Sequence, residues 1–313
     1  MKQKIRAHLT EYILEIVLVM LVLGLSFTAP NFLTVGNLLT ILQSESMKGI
    51  IAFGMTMAII SGEIDLSVGS MAAFAGCLTA WLVQQGVPIP LALLLTLAAG
   101  ALIGCVTGLL RVQFKVPTFI STLALFTALR GGALMLTGGF ALSPFPEWYN
   151  FIGGGKIGGV PFPALVLLLV FAASWFLMNY TAFGRTIYAV GGNAEATRLS
   201  GINVGRVRLV VLALTSTLAA LAGIMLSSRM LAGDPTVAQG WELDVIAAVI
   251  IGGTSLFGGA GSMRGTLVGV IFIGVIVNGM TLLNVPVYGQ YIVRGVLILA
   301  AVLLSQLQSK NVR

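Results

Sequence analysis

Apolar residues run along this chain in long uninterrupted blocks, with the polar residues gathered between them. The first block, Tyr12 to Ala29, follows Lys2, Lys4 and Arg6. It is long for a signal peptide and more blocks come after it, so it reads as an uncleaved first span. Later blocks cover about Leu38 to Ser61, Met71 to Gln84, Leu91 to Leu110, Pro117 to Thr137, Phe162 to Tyr180, Leu209 to Ser228 and Val245 to Ile251. One ending near Leu283 and one from Tyr291 to Leu307 complete a set of about ten transmembrane helices. The pattern predicts an all-α polytopic membrane protein, a single permease-like domain over residues 1–313. Three blocks carry features of their own. The second holds Gln43, Ser44, Glu45 and Lys48, with Glu45 and Lys48 spaced to pair on one helical face. The fourth holds Gly100, Gly104 and Gly108, a spacing that lets another backbone approach closely; Gly104 is the candidate for packing beside a path between paired subunits. The eighth is short and runs into Gly252 to Gly265, which predicts a broken or re-entrant helix sheltered by protein.

One polar stretch stands apart. Gly184 to Arg208 carries Arg185, Arg198, Arg206 and Arg208 between two apolar blocks. Asn193 is a good N-cap, Glu195 sits in the first turn, where the helix dipole favours a carboxylate, and Arg198 follows three residues on. Gly201 is a natural terminator. The residues predict a helix of about two turns with Leu199 near its end. Such a helix suits docking to a soluble partner; an ordinary basic loop that only fixes orientation is the competing reading.

Composition confirms the class: 58% of the 313 residues are hydrophobic and only 9% are charged. Basic residues decide orientation. With both termini cytoplasmic, the inner segments hold Lys2, Lys4, Arg6, Arg111, Lys115, Arg185, Arg198, Arg206, Arg208, Arg264, Lys310 and Arg313, which is 12 of the 17. On that topology Glu242 and Asp244 form an acidic pair in an outer loop, wet or paired with a cation, with Arg229 the nearest in sequence. Cys77 and Cys105 lie in apolar blocks, which argues against a disulfide framework, and His8 is the single histidine. There is no G-x-x-x-x-G-K-[ST], no zinc spacing and no Ser-His-Asp set, so the chain is read as a transport subunit that binds neither ATP nor a metal. Nothing points to nucleic acid.

The chain echoes itself weakly. Glu63-Ile-Asp65 is matched by Glu242-Leu-Asp244, and Val116-Pro117 by Val285-Pro286. These matches suggest an inverted repeat, spans two to five against seven to ten.

Three stretches carry a family likeness: GEIDLSVGS, GRTIYAVGGNAEATRLSGI, and Trp241-Glu242-Leu-Asp244 followed by IAAVIIGGTSLFGGAGSMRGT. They closely resemble the permease subunits of ribose-type ABC sugar importers, and the likeness covers nearly the whole chain. The resemblance implies a bacterial inner-membrane subunit working with a second permease copy or paralogue. It also implies a cytoplasmic ATPase subunit with two nucleotide-binding domains, which uses the ATP, and a periplasmic or lipid-anchored sugar-binding protein. By resemblance, Gly184, Arg185, Asn193, Glu195, Ala196, Arg198, Leu199 and Gly201 belong to the ATPase-coupling loop. Asp65, Ser67 and Asn278 are candidates for the path or its gate. Two positions depart from the family pattern: Glu63, where glycine is commoner, and Thr197, where a second alanine is usual. Two other readings are kept in view. One is an ion-coupled transporter relaying protons through Glu15, Glu45, Glu63 or Asp65; the other is a branched-chain amino-acid permease of the same superfamily.

Overall fold

The computed structural model describes residues 12–310, with the backbone alone at 301 and 304–310. Lys2, Lys4, Arg6, His8 and Arg313 lie outside the described residues. The chain forms α1 (Ile13–Thr28), α2 (Val35–Ile60), α3 (Val68–Gln84), α4 (Ile89–Gln113) and α5 (Thr118–Thr137). A 3-10 turn (Glu147–Asn150), α6 (Phe151–Gly154) and a small hairpin of β1 (Lys156–Ile157) with β2 (Val160–Pro161) come next. Then follow α7 (Phe162–Tyr180), α8 (Ala182–Gly192), α9 (Ala194–Leu199), α10 (Val204–Met230), α11 (Trp241–Ile251), α12 (Met263–Leu282) and α13 (Val287–Lys310). Five of these, α4, α5, α7, α10 and α12, are long and apolar enough to cross a membrane, and α1, α3 and the first part of α13 are shorter apolar helices. The protein is an all-α polytopic membrane protein.

Two antiparallel helices form its centre. From Gly49 onward α2 is buried on every face, as expected of a helix wrapped by others. It crosses α10 where a Cβ on Gly54 would lie 2.8 Å from Thr215 Cα, and the Thr215 hydroxyl donates to Gly54 O at 3.0 Å. Small residues set this closeness throughout, because in lipid helices attract one another by contact rather than by leaving water. The Gly100, Gly104, Gly108 stripe of α4 packs on α10 as well: Cβ atoms there would sit 2.7 Å from Ala220 Cβ, 2.6 Å from Ala213 Cα and 2.7 Å from Leu209 Cα. The stripe is thus spent inside the chain. Gly104 allows the close helix approach its spacing suggests, and the helix it meets is α10 of the same chain.

The two halves share one register. Thr34 and Asn203, 169 residues apart, cap α2 and α10 by accepting from the backbone N–H of Asn37 and Arg206. At the same offset, Gly62 and Leu231 take left-handed φ values of 81° and 52° just past the ends of α2 and α10. Lys115 and Asn284 do so again, at 55° and 56°, ahead of Val-Pro and the starts of α5 and α13. Asp65 accepts from the backbone N–H and hydroxyl of Ser67 at 2.8 and 2.6 Å; Asp234 accepts from those of Thr236 at 2.8 and 2.7 Å. In this register the counterpart of Asp65 is Asp234. The expected match of Glu63-Ile-Asp65 to Glu242-Leu-Asp244 is out of step; the Val-Pro match is in step. α2 runs toward the end of the bundle where α10 begins, so these two corresponding helices are antiparallel.

The Asp-turn after α10 opens a return into the bundle. Gly233 exchanges two backbone hydrogen bonds with Leu142, at 3.0 and 2.8 Å, near the end of α5. A Cβ on Gly233 would meet Ala80, and Ala238 O approaches Gly69, so 231–240 descends beside α3 in non-helical form. Arg130 Nη1 donates to the carbonyls of Pro235 and Val237 at 2.6 and 2.8 Å, supplying partners the backbone lacks there. α11 then starts at Trp241, after Gly240 in the left-handed region. The break therefore precedes the short helix. The sequence placed it afterwards, in Gly252–Gly265.

Candidate functional site

Basic residues gather at one end of the bundle, where α2 and α4 finish and α5 and α10 begin. Here lies the segment singled out by its charge. It contains two helices rather than one. α8 carries Gly184 and Arg185 and buries Gly184, Ile187 and Val190 against the bundle, with Thr181 accepting from Gly184 N at its start. Gly184 is tight because a Cβ would enter the end of α7, 2.5 Å from Met178 O. Asn193 ends α8 and caps α9, its Oδ1 accepting from Ala196 N at 2.9 Å. Glu195 and Arg198 form a bidentate pair at 2.6 and 3.0 Å, both about two-thirds exposed. Arg198 holds the Glu195 carboxyl below its usual range through these hydrogen bonds and its charge. Leu199 is 73% exposed and Gly201 turns the chain with φ 83°. Thr197 instead faces inward, donating to Ala189 O and Asn193 O. Arg206 and Arg208 belong to α10, which starts earlier than its apolar run suggested.

The α8–α9 unit rests on backbone. A Cβ on Gly191 would collide with Ile60 O at the end of α2 and lie 2.5 Å from Gly259 N; Gly259 N itself donates to Ile60 O at 2.9 Å. The Tyr188 hydroxyl donates to Gly261 O at 3.0 Å. Thus α8, α2 and the turn after α11 meet at one point.

Beside it sits Glu63, 3% exposed. Its Oε1 lies 2.9 Å from Arg111 Nε and 2.8 Å from Arg208 Nε, and its Oε2 accepts from the Thr118 hydroxyl. One carboxylate joins the α2–α3 turn to the end of α4, the start of α5 and the start of α10. Asp65 is fully buried and is held in its own turn by Ser67, with Ser216 at 3.5 Å. The four candidate relay carboxylates are all engaged: Glu15 with Arg264 at 3.2 Å, Glu45 with Lys48 at 3.3 Å, Glu63 and Asp65 as above. Asn278 exchanges two hydrogen bonds with Asn37, at 2.8 and 3.0 Å, tying the far end of α12 to the start of α2.

The acidic pair is not in a loop. Glu242 and Asp244 occupy the first turn of α11 and are both buried. Asp244 Oδ2 lies 3.0 Å from Lys48 Nζ and 3.4 Å from Arg294 Nη1. Lys48 is midway along α2, so the pair lies at mid-height in the bundle, and the cations are Lys48 and Arg294 rather than Arg229. Glu242 presses on Gly69 at the start of α3, where any Cβ would strike its carboxylate. Sequence reasoning found Glu45–Lys48 from their spacing but had no means to bring α11 and α13 to them.

Comparison with known proteins places this arrangement. Residues 37–302 match the model of a family described as branched-chain amino acid transport system / permease component. The chain is 44% identical over 302 residues to the ribose import permease protein of Escherichia coli (strain K12), covering 95% of this chain and 94% of the relative. It is 43% identical to the ribose import permease protein of Bacillus subtilis (strain 168), covering 93% and 91%. The L-arabinose ABC transporter permease protein of Azospirillum brasilense is 39% identical, at 93% and 86%. No solved structure matches the chain.

Proposed function

This chain belongs to the family of branched-chain amino-acid transport permease components, and within it we propose the following mode of action for what its relatives identify as the membrane permease subunit of an ABC sugar importer. The family description is broad, and the relatives named for ribose, arabinose and xylose favour a sugar over a branched-chain amino acid. The substrate is a ribose-like monosaccharide delivered by an external binding protein. The basic end faces the cytoplasm of a bacterial inner membrane, a reading supported by the Lys and Arg excess. There α8–α9 docks a separate ATPase subunit that consumes the ATP.

The observation that carries this reading is the exposed, doubly capped α9 set on a backbone joint shared by α2, α8 and the α11–α12 turn. A helix that merely set orientation would need no such seat. The ATPase pushes on α8–α9; the Gly191–Ile60 contact passes the push to α2, and Glu63 passes it to α4, α5 and α10. Substrate passes with its partner copy's help, without covalent chemistry on this chain. Double replacement Glu195→Ala with Gly201→Val tests this. Uptake and ATPase retention should be lost while the permease stays inserted at normal amount; normal uptake with the ATPase still bound would refute it.

A further inference from the structure

The Gly-rich turn between α11 and α12 has no part in the mode of action beyond its contact with α8. Its geometry is that of a rigid projection. Ser255 N donates to Ala260 O at 2.9 Å, Gly258 N to Ser255 O at 3.1 Å and Phe257 N to Ser255 Oγ at 3.2 Å, closing residues 255–260 on themselves. Gly258 and Gly259 take φ values of 83° and 74°, which L side chains rarely adopt. They lie against Gly191 and Gly192: a Cβ on Gly258 would be 3.0 Å from Gly191 O, and one on Gly259 2.8 Å from Gly192 Cα. Gly192 is the last residue of α8, directly before the Asn193 cap of α9. At the tip of this turn, on the basic end, Phe257 is 61% exposed.

An aromatic ring held out on a fixed turn loses little side-chain freedom on binding and buries much apolar area, which is how interface anchors work. We propose that this turn is a second docking element for the ATPase subunit, with Phe257 as its anchor beside Leu199 and the Glu195–Arg198 pair. The proposal rests on the coupling role of α8–α9. Continuity selects the occupant: the turn is joined backbone to backbone to the helix that leads into α9, so a partner seated on α9 reaches Phe257 without crossing a gap. The combined surface offers two exposed apolar anchors, Phe257 and Leu199, together with a solvent-exposed ion pair, Glu195–Arg198. It also explains the glycines at 258, 259 and 191, since side chains there would hold the turn and the helix apart.

The test uses the assembled permease and ATPase in membranes, with p-benzoylphenylalanine replacing Phe257, Leu199 or, as a control on the bundle side, Leu169, which is 71% exposed. Irradiation should join the ATPase to positions 257 and 199 and not to 169. Capture of the ATPase from 199 together with capture of only lipid or a second permease copy from 257 overturns this inference and leaves the coupling reading standing. Absence of the ATPase from both products overturns both. A second measurement does not depend on cross-linking. Phe257→Ser should weaken ATPase retention on the purified permease about tenfold, the scale of an anchor residue, at unchanged permease amount. Phe257→Tyr should restore it. Undiminished retention in Phe257→Ser overturns the proposal.

Discussion

Glu63 holds two arginines, Arg111 and Arg208, that would otherwise face each other. Removing one member of a buried ion pair costs more than the pair is worth, because the remaining charge is left uncompensated. Glu63→Gln should therefore destabilise the permease by about 3 kcal/mol, near the low end of the range for buried pairs, since both arginines keep some exposure. The check is thermal unfolding of detergent-solubilised protein. Adding Arg208→Gln should recover part of the loss, the sign of direct coupling; a purely additive double variant would count against the bridge. Asp244→Asn works the same way at mid-height, leaving Lys48 and Arg294 short of a counter-ion. It should lower the yield of folded permease, and exchanging charges with Arg229 should not rescue it. Glu63 and Asp244 were visible in the sequence as unusual charges. Their partners were not, because the arginines and lysine that meet them come from other helices and spacing along one helix carries no information about them. Glu195, Arg198 and Asn193 were legible for the opposite reason: every contact they make lies within one turn.

At the scale of elements, success and failure divide along the same line. α9 and its caps follow from residue types alone. α8 was hidden because its apolar face, Ile187 and Val190, is interrupted by glycines needed for contact with Ile60 and Gly259. The broken crossing was expected one element too late, since glycine content marks Gly252–Gly265, whereas the non-helical return of 231–240 is sustained by Arg130 and an aspartate turn. Helix packing gives a direct prediction. A leucine at Gly104 has nowhere to go, with Ala213 Cα 2.6 Å from the Cβ position. Overpacking of this kind costs at least about 1–3 kcal/mol, so Gly104→Leu should lower the unfolding temperature clearly. Leu102→Ala, on the exposed face of the same helix, should change it by no more than about 0.5 kcal/mol. For α9, proposed above to dock the ATPase, Asn193→Ala removes one cap worth about 1 kcal/mol, and should reduce ATPase retention without changing the amount of permease.

The whole molecule makes its own prediction. If the basic end is cytoplasmic, single cysteines at Leu199 and Phe257 should react with a membrane-impermeant maleimide only from the cytoplasmic side, and at Trp148 and Tyr288 only from outside. A cysteine at Asp244 should resist labelling from both, because it lies buried at mid-height. Labelling of 199 from outside would invert the topology. The sequence supplied the class and pointed to a repeat; the register of that repeat needed backbone angles, since Asp65 and Asp234 share a turn but hardly any neighbouring residues.

The seat of α8 on Ile60 puts main chain against main chain, with no side chain between them to bend or change rotamer. A contact of that kind has no slack. α2 is a rod of 26 residues, about 39 Å long at the usual rise, loaded at one tip by Gly191 and hooked at the other by the paired amides of Asn37 and Asn278. Crossing α10 at Gly54 provides a fulcrum close to the loaded tip. A tilt of about 5° about that point would carry the far tip roughly 2–3 Å over its ~28 Å arm, enough to exchange one hydrogen-bond partner for another. The geometry is that of a lever with a short driven arm and a long working one, so a small stroke at the seat of α8 becomes a larger displacement at the Asn37–Asn278 end.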